Sequence, residues 1–415
     1  MSDSSMEAEL DAPALAADAV LEADAVLEAD AAADAPAWAA VLSLAMGVFG
    51  LVTAEFLPAS LLTPIAADLG VTAGAAGQAV TATALTGTFA GILMPILTRQ
   101  LDRRLVMWAL TGLLVISGAI AAMATNLTTL LAARLLLGIG IGGFWSMMAA
   151  MAMRLVPERL LARALSIVFT GVSVATISAA PIGAYLGNLY GWRTVFALSA
   201  AIGALTLLMQ LVTLPKLPPR SKPNLRTLFD LLRRPSVRLV VATILISISG
   251  HFAGFTYVRP FLEQVPALKI EIISLALLGY GAGGFFGNLL GGAITARSAQ
   301  VSVIVGSALI AATAFALVAF GASAWVSGIG VAVWGFAFGA IPVGVQTWIV
   351  RAAPDQPEGA SGLIVAGFQI AIASGAVLGG LLVDHLGPTG VIGYTGVTTL
   401  VGALLVVGFG RRRAA

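Results

Sequence analysis

The amino-acid sequence predicts an all-α integral membrane protein in which twelve transmembrane helices form two pseudo-symmetric six-helix halves. Three observations predict this class: the composition, a series of long apolar runs, and an internal repeat. The 415 residues are 59% hydrophobic and 10% charged, and the mean hydropathy is +0.99. Soluble domains carry about 25% charged residues, so this chain lacks the polar surface that water-facing cores require. Its 47 glycines are typical of helices that pack closely in a bilayer.

Apolar runs of membrane-spanning length follow Trp38 and are separated by short polar breaks. We predict twelve spans, near 38–63, 77–98, 105–123, 129–150, 164–186, 194–213, 239–260, 272–295, 301–320, 325–349, 359–384 and 391–410. The longest break carries seven basic residues and five prolines, and it divides the spans six and six. The predicted regions are an acidic low-complexity tail 1–36, a half 37–213, a basic linker 214–238, a half 239–410 and a basic end 411–415.

A shift of 196 residues superimposes the second half on the first. It places Glu55 on His251 and Pro64 on Pro260. Three pairs of glycines share the same offset: Gly91 and Gly287, Gly183 and Gly379, Gly191 and Gly387. Each match alone is weak, because glycine and proline are common in membrane helices. Their constant spacing indicates a duplicated six-helix unit.

The distribution of charge predicts the orientation. If the N-terminus is cytoplasmic, 18 of the 22 basic residues fall on the cytoplasmic side, as positively charged loops do in membrane proteins. Both termini and the central linker are therefore predicted to be cytoplasmic. The tail 1–36 holds ten of the 20 acidic residues and no basic one, and we interpret it as an extension without a transport role.

Several function classes are disfavoured by what the sequence lacks. There is no cysteine, and the two histidines are far apart, so neither a thiolate site nor a histidine metal cluster is predicted. A membrane-embedded enzyme would need clustered catalytic groups, and an ATP-driven pump would need a phosphate-binding loop. A receptor remains conceivable, but the duplication suits two halves that rock against each other. No metal, cofactor or nucleic-acid partner is expected.

Short motifs in the first half resemble the signatures of the major facilitator superfamily, in particular its twelve-span proton-coupled exporters. The motifs are Asp102-Arg103-Arg104 after span 2, Arg134 to Gly138 in span 4, Pro181 and Gly183 in span 5, and Gly191 to Arg193 after it. Two positions depart from the family pattern, since Thr98 and Ala180 stand where glycine is usual. The resemblance implies the major facilitator fold and a cytoplasmic latch at Asp102, Arg103 and Arg104.

A closer resemblance, to bacterial exporters of purine ribonucleosides, extends over nearly the whole chain after Trp38. It is carried by the segments 55–64, 142–145, 153–157, 255–260 and 341–348. The resemblance implies proton-coupled export of purine nucleosides such as inosine and guanosine, and of purine bases, across the bacterial inner membrane by a monomer. Export of sugars or drugs by the same fold is the alternative.

Glu55 is the acidic residue deepest inside a predicted span, and a charge at that depth costs about 3 kcal/mol or more unless it has a partner or water. We predict that Glu55 exchanges the proton and that Arg134 of span 4 pairs with it. The alternative is a permanent ion pair that only fixes two helices. His251, at the equivalent position of span 7, is a second candidate for the proton or a ligand for ribose hydroxyls.

Trp145, His251, Gln346 and Gln369 are the predicted substrate-binding residues. Trp145 shares one helical face with Arg134, Gly138 and Gly142, and its indole offers a flat surface for a purine ring. The two glycines are interpreted as packing positions, and the two amides can read a base edge or bond between helices. Trp334 and Trp348 are predicted to be interface anchors, and Arg259 is predicted to extend to the membrane surface.

Overall fold

The computed structural model describes residues 36–157, 160–218 and 226–410. All regular elements in these ranges are helices. The predicted tail up to residue 35, the middle of the linker and the basic end 411–415 lie outside the described residues.

The first half of the chain forms six long helices, and the second half forms a further set after a short linker helix. The helices of the first half are α1 (Trp38–Leu69), α2 (Ala73–Leu97), α3 (Arg103–Ala122), α4 (Leu127–Leu155), α5 (Leu161–Tyr190) and α6 (Trp192–Thr213). The others are α7 (Arg226–Arg233), α8 (Pro235–Thr256), α9 (Val258–Gln264), α10 (Ile270–Arg297), α11 (Ala299–Phe320), α12 (Ala324–Ala352) and α13 (Pro357–Gly410).

Polar side chains at the turns fix where several helices begin. Thr72 accepts a hydrogen bond from the Ala75 backbone N–H at the start of α2, at 3.0 Å. Asn126 accepts a hydrogen bond from the Thr129 backbone N–H at the start of α4, at 2.9 Å. These side chains satisfy backbone donors that a helix N-terminus leaves without internal partners.

Eleven helices in the described ranges are long and apolar enough to cross a membrane. The last of them covers 48 residues, about 72 Å at 1.5 Å per residue, which is far more than one crossing requires. It contains one non-helical residue, Gly387. The helix therefore consists of two arms, 357–386 and 388–410, and these are the predicted spans 11 and 12.

Contacts with α8 show that the chain reverses at Gly387. Along the first arm residue numbers rise together with those of α8, because Gly367 faces Ile244 and Gly379 faces Ala253. Along the second arm they run in opposite directions, because Gly402 faces Ser247 while Thr395 faces Gly254. The two arms are antiparallel, and the twelve-span fold class is confirmed.

The turn at Gly387 has a counterpart at Gly191, 196 residues earlier, between α5 and α6. Gly387 has φ 72° and ψ 175°, and Gly191 has φ 82° and ψ 152°. This region of backbone space is essentially restricted to glycine. The same sharp turn at both equivalent points is direct evidence that the two halves share one topology.

Glycines mark where helices approach each other within each half. Gly142 on α4 lies against the backbone of Gly87 and Gly91 on α2, and Gly287 on α10 lies against Phe336 on α12. Gly183 on α5 contacts Leu57 of α1. Across the halves, α2 packs on the first arm of α13, and α5 packs on α10. The interpretation of Gly138 and Gly142 as packing positions agrees with these contacts.

The predicted span 239–260 is interrupted. Helix α8 ends at Thr256, and α9 begins at Val258, with Tyr257 between them at φ −110° and ψ 15°. Pro260 explains the break, because a proline nitrogen cannot donate to the carbonyl of residue 256. The interruption places Tyr257 and Arg259 at an angle to the rest of the span.

Candidate transport site between the two halves

Glu55 lies in the middle of α1, a helix that contains two prolines, Pro58 and Pro64. Its side chain is half-buried. A proline at 58 cannot donate to the carbonyl of Ala54, so one backbone acceptor next to Glu55 is left without its helical partner. The sequence thus creates both a deep carboxylate and a free carbonyl at one point of the membrane interior.

Arg134 of α4 supplies the missing donor. Its Nη1 donates to the Ala54 carbonyl at 2.8 Å, its Nε donates to the Ala79 carbonyl at 3.2 Å, and its Nη2 donates to the backbone carbonyl of Glu55 at 3.4 Å. The guanidinium is buried, with 1% of the residue exposed. It joins α1, α2 and α4 through backbone oxygens.

The predicted Glu55–Arg134 ion pair is therefore replaced by a looser arrangement. Among the described residues, four ion pairs lie within 4.0 Å, and none of them joins these two side chains. The two residues still meet, because the Arg134 guanidinium bonds the backbone carbonyl of Glu55. The difference arises because the guanidinium donates to the carbonyl that Pro58 leaves without a helical partner. The sequence pattern on α4 alone did not reveal this bond.

The carboxylate of Glu55 meets the second half of the molecule through Gln369. The side chain of Gln369, on the first arm of α13, lies beside the Glu55 carboxylate. The Gln369 residue is only 5% exposed, and its Nε2 lies against Gly87 of α2. Glu55 is thus positioned where α1, α2, α4 and α13 come together, at the junction of the two halves.

His251 lies in a closed aromatic cluster in the second half, and it is 0% exposed. Its ring stacks on Phe338 with a centroid distance of 3.6 Å. Trp334 Nε1 donates to His251 Nδ1 at 3.0 Å, and Tyr280 Oη lies 3.2 Å from Nε2. We define this group, together with Phe252 and Phe255, as the aromatic cluster.

These contacts determine the form of the imidazole. Since the indole N–H of Trp334 can only donate, Nδ1 must be the unprotonated acceptor. The remaining proton is then on Nε2, directed at the Tyr280 oxygen. A second proton on Nδ1 would break the bond from Trp334, so this conformation favours a neutral, packed histidine over a proton carrier.

The predicted substrate residues occupy different environments. Trp145 is half-buried and faces Phe169 of α5, with ring centroids 6.1 Å apart. Gln346 is exposed, whereas Gln369 and His251 are buried. The structure brings Gln369 to Glu55 and places His251 inside the aromatic cluster, so these four residues do not form one continuous surface in this conformation.

Two tryptophans predicted to be interface anchors lie in the core. Trp334 is 1% exposed and Trp348 is 6% exposed. The positions of these tryptophans near the ends of a predicted span favoured a location at the membrane interface. Trp334 instead bonds to His251 and belongs to the aromatic cluster. The predicted surface location of Arg259 is wrong for a similar reason: the residue is 3% exposed and has partners inside the protein.

The motif after span 2 forms a set of local ties. Asp102 caps α3 by accepting from the Arg104 N–H at 2.8 Å, and it also accepts from the Leu217 N–H at 3.0 Å. Arg103 donates to Thr98 Oγ1 at 2.9 Å and reaches Met147 Sδ of α4 at 3.5 Å. The threonine at the position where the family prefers glycine thus holds the motif arginine.

The remaining motif residues, Pro181 and Gly183, lie within α5 where it crosses α1. Gly183 lets Ser60 and Leu57 approach, since a Cβ there would come within 2.9 Å of their side chains. Pro181 removes one backbone donor from the interior of the helix. The pair shapes a helix that contacts both α1 of its own half and α10 of the other half.

The end of the bundle opposite the linker, here called the distal end, holds contacts between the halves that the sequence did not predict. Arg259 donates to the Ser60 carbonyl and bonds Glu263 at 2.7 Å, and Thr63 donates to Glu263. Tyr257 is 0% exposed, and its ring lies against glycines of both α2 and α13. This distal end is closed in the structure.

A second tie at the distal end involves Asp384 of α13. Its carboxylate accepts from Thr72 Oγ1 at 2.7 Å and from the Gly74 N–H at 3.0 Å, at the start of α2. A carboxylate is well suited to a helix N-terminus because the exposed N–H groups carry partial positive charge.

At the opposite end, Arg234 and Asp355 form a two-point bond at 2.6 and 2.7 Å. The hydrogen bonds from Arg234 lower the pKa of Asp355 to about 2. The carboxylate is therefore ionised at any physiological pH, and this pair is not a pH sensor. In the described ranges, no group of three or more acidic, histidine or cysteine side chains could hold a metal ion.

The fold, the deep central carboxylate and the two equivalent halves define a secondary transporter. The sequence matches the Major Facilitator Superfamily over residues 42–361 and 273–415, and the chain belongs to that family. A solved D-xylose–proton symporter has the same fold, with a TM-score of 0.73 and 19% identity over 90% of this chain and 97% of that one.

Curated relatives are considerably closer in sequence. The purine ribonucleoside efflux pump NepI of Salmonella enteritidis is 38% identical over 371 residues, which cover 89% of this chain and 94% of that protein. The pump of the same name from Shigella sonnei is 40% identical over 372 residues, with the same coverage. These relatives are efflux transporters, so the chain is similar to transporters and not to enzymes.

Proposed function

We propose that this protein exports purine ribonucleosides, such as inosine and guanosine, in exchange for protons. The observation that carries the substrate class is the 38% and 40% identity to purine ribonucleoside efflux pumps over 89% of the chain. Purine bases are a further expected substrate. The proton-exchanging group is Glu55.

The position of Glu55 supports that role. A carboxylate that contacts residues from both halves changes the attraction between them when it gains or loses a proton. Ionised Glu55 attracts the buried Arg134 and the nearby amide of Gln369, whereas the protonated acid loses most of that attraction. Proton binding would therefore weaken the junction of α1 with α13 and favour movement of the halves.

The orientation completes the proposal. The linker end faces the cytoplasm, because most basic residues lie there, and the distal end faces outward across the bacterial inner membrane. The halves 37–213 and 239–410 rock about the junction as one monomer. Protons entering from outside then drive the nucleoside out of the cell.

Trp145 and the two glutamines are the proposed contacts to the nucleoside. Purine rings stack on an indole with about 1–3 kcal/mol per base, and the amides of Gln346 and Gln369 can both donate and accept. Since His251 is enclosed by the aromatic cluster, it packs inside the second half in this conformation. Contact of His251 with ribose would require the cluster to open.

Inverted membrane vesicles test the function directly. An acidic lumen should accelerate uptake of labelled inosine by vesicles that contain the protein, compared with vesicles that lack it. Unlabelled guanosine should compete, and xylose should not. Uptake that does not respond to the gradient, or competition by xylose equal to that by guanosine, would contradict the proposal.

Substitution of Trp145 tests the substrate contact. Trp145→Ala should weaken competition by inosine by about tenfold and competition by uridine less, because a pyrimidine has less ring area to stack. Trp348→Ala is the matched control, since Trp348 is a buried tryptophan on a different helix. Equal losses for inosine and uridine would show that Trp145 serves helix packing.

A further inference from the structure

The two seams between the halves at the distal end are equivalent by the internal repeat, but they are not built alike. One seam lies between α2 and the first arm of α13, and the other lies between α10 and α5. Asp384 on α13 corresponds to Asn188 on α5 at the offset of 196. A carboxylate on one seam is thus an amide on the other.

The helix that faces each of these residues also differs. The N-cap residue of α2 is Thr72, whose side chain caps the helix and bonds Asp384. The N-cap residue of α10 is Lys269, which provides no side-chain cap. A residue with positive φ stands two positions earlier in both cases, Gly70 at 64° and Ala267 at 51°. Alanine is strained in this conformation, whereas glycine is not.

A shallow cavity of about 390 Å³, largely open to the surface, is present at the α5–α10 seam. It is lined by Asn188 from the first half and by Arg259, Glu263, Lys269 and Glu271 from the second. Two cations and two carboxylates leave no net charge, and all five side chains can form hydrogen bonds. Its volume lies within the range of small-molecule sites, about 300–1,000 Å³.

The cavity adjoins the contacts that close the distal end. Arg259 and Glu263 line it and also bond to Ser60 and Thr63 of α1. Any group that passes from the centre of the bundle into this cavity must displace these bonds. The α2–α13 seam, in contrast, is held by Asp384 and by Tyr257.

We propose that the distal end opens at the α5–α10 seam and that this cavity is the exit site for the transported solute, an uncharged polar molecule of the nucleoside class. The proposal rests on the proposed function for the identity of the solute. The α2–α13 seam stays closed for longer and acts as the hinge. Asn188, Lys269 and Glu271 offer the departing solute both donors and acceptors.

The chain contains no cysteine, so single cysteines can report on each seam. Ile273→Cys on α10 and Ala76→Cys on α2 stand at equivalent depths, and the two residues are 1% and 0% exposed. Purified protein in nanodiscs is treated with a maleimide, with and without inosine. The rate of labelling should be several-fold higher at position 273, and inosine should increase that difference.

Two further substitutions test whether Asn188 and Asp384 cause the difference in labelling between the two seams. Asn188→Asp places a carboxylate opposite the uncapped start of α10, and it should slow labelling at position 273 by about three- to tenfold, as expected for a gained helix cap. Asp384→Asn should accelerate labelling at position 76. If either cysteine variant fails to fold, the inosine transport rate of Asn188→Asp alone, expected to fall, carries the test.

Equal labelling at the two seams, or no effect of Asn188→Asp, would overturn the exit site. A failure of the substrate assignment would look different. In that case inosine would alter neither rate, while the difference between positions 273 and 76 would persist without it.

Discussion

Pro58 and Arg134 illustrate how single residues prepare the interior of this protein. The proline removes one helical hydrogen bond from α1, and the arginine replaces it from α4. The depth of Glu55 and Arg134 was predictable from the sequence, because both lie within apolar runs. Their actual relation was not, because hydropathy does not tell which backbone oxygen on one helix faces a side chain on another.

Arg134→Lys should destabilise the protein, since one ammonium group cannot replace the three bonds of the guanidinium. The expected loss is about 1–3 kcal/mol, the cost of leaving a buried acceptor without a partner. Thermal unfolding in detergent measures it. In a Pro58→Ala background the loss should be smaller, because the backbone N–H restored at position 58 can then donate to the Ala54 carbonyl. Equal losses in both backgrounds would contradict the link between these residues.

His251→Gln should separate packing from proton coupling. The change removes the imidazole ring that accepts from Trp334 and stacks on Phe338, so the unfolding temperature should fall by several degrees for a loss of about 1–3 kcal/mol. The acceleration of inosine uptake by a pH gradient should remain. Trp334→Phe should lower stability in the same way. If His251→Gln alone abolished the response to the pH gradient, His251 would be the proton-exchanging residue.

At the scale of helices, the sequence predicted where spans occur much better than how they bend. Eleven of the twelve predicted spans correspond to an observed helix or arm without interruption, because length and apolarity suffice to define them. The break at Tyr257 and the caps at Thr72 and Asp102 depend on particular turns. Gly191 and Gly387 were noted as a repeat, but their common backbone conformation emerged only from the structure.

Gly387→Ala and Gly191→Ala should each cost roughly 1–3 kcal/mol, because alanine is strained at φ 72° and 82°. Gly112→Ala is the control: a Cβ there meets nothing within 4 Å, and alanine favours a helix by about 1 kcal/mol over glycine. The unfolding temperature in detergent should fall for Gly387→Ala and Gly191→Ala, and it should stay the same or rise for Gly112→Ala. A fall of equal size in all three would refute the turn argument.

For the whole molecule, two six-helix halves meet around one deep carboxylate, with one end closed by polar ties. The sequence repeat at an offset of 196 residues predicted two equivalent halves. The depth of Glu55 within its span predicted the central site between them. The unequal seams were not predictable, because Asn188 and Asp384 differ by one functional group whose effect depends on the helix opposite. Rocking of the halves explains why a single deep acid can link proton binding to solute movement.

The response of inosine transport to a pH gradient in Glu55→Gln is the measurement that tests the central claim most directly. Asp68→Asn is the matched control, because it removes a carboxylate from the end of the same helix, where Asp68 pairs with Arg193, and not from the centre. Glu55→Gln should abolish the acceleration by an acidic lumen while exchange of labelled for unlabelled inosine continues, and Asp68→Asn should keep the acceleration. Full gradient-driven uptake by Glu55→Gln would contradict the account, since the proton would then have to bind elsewhere.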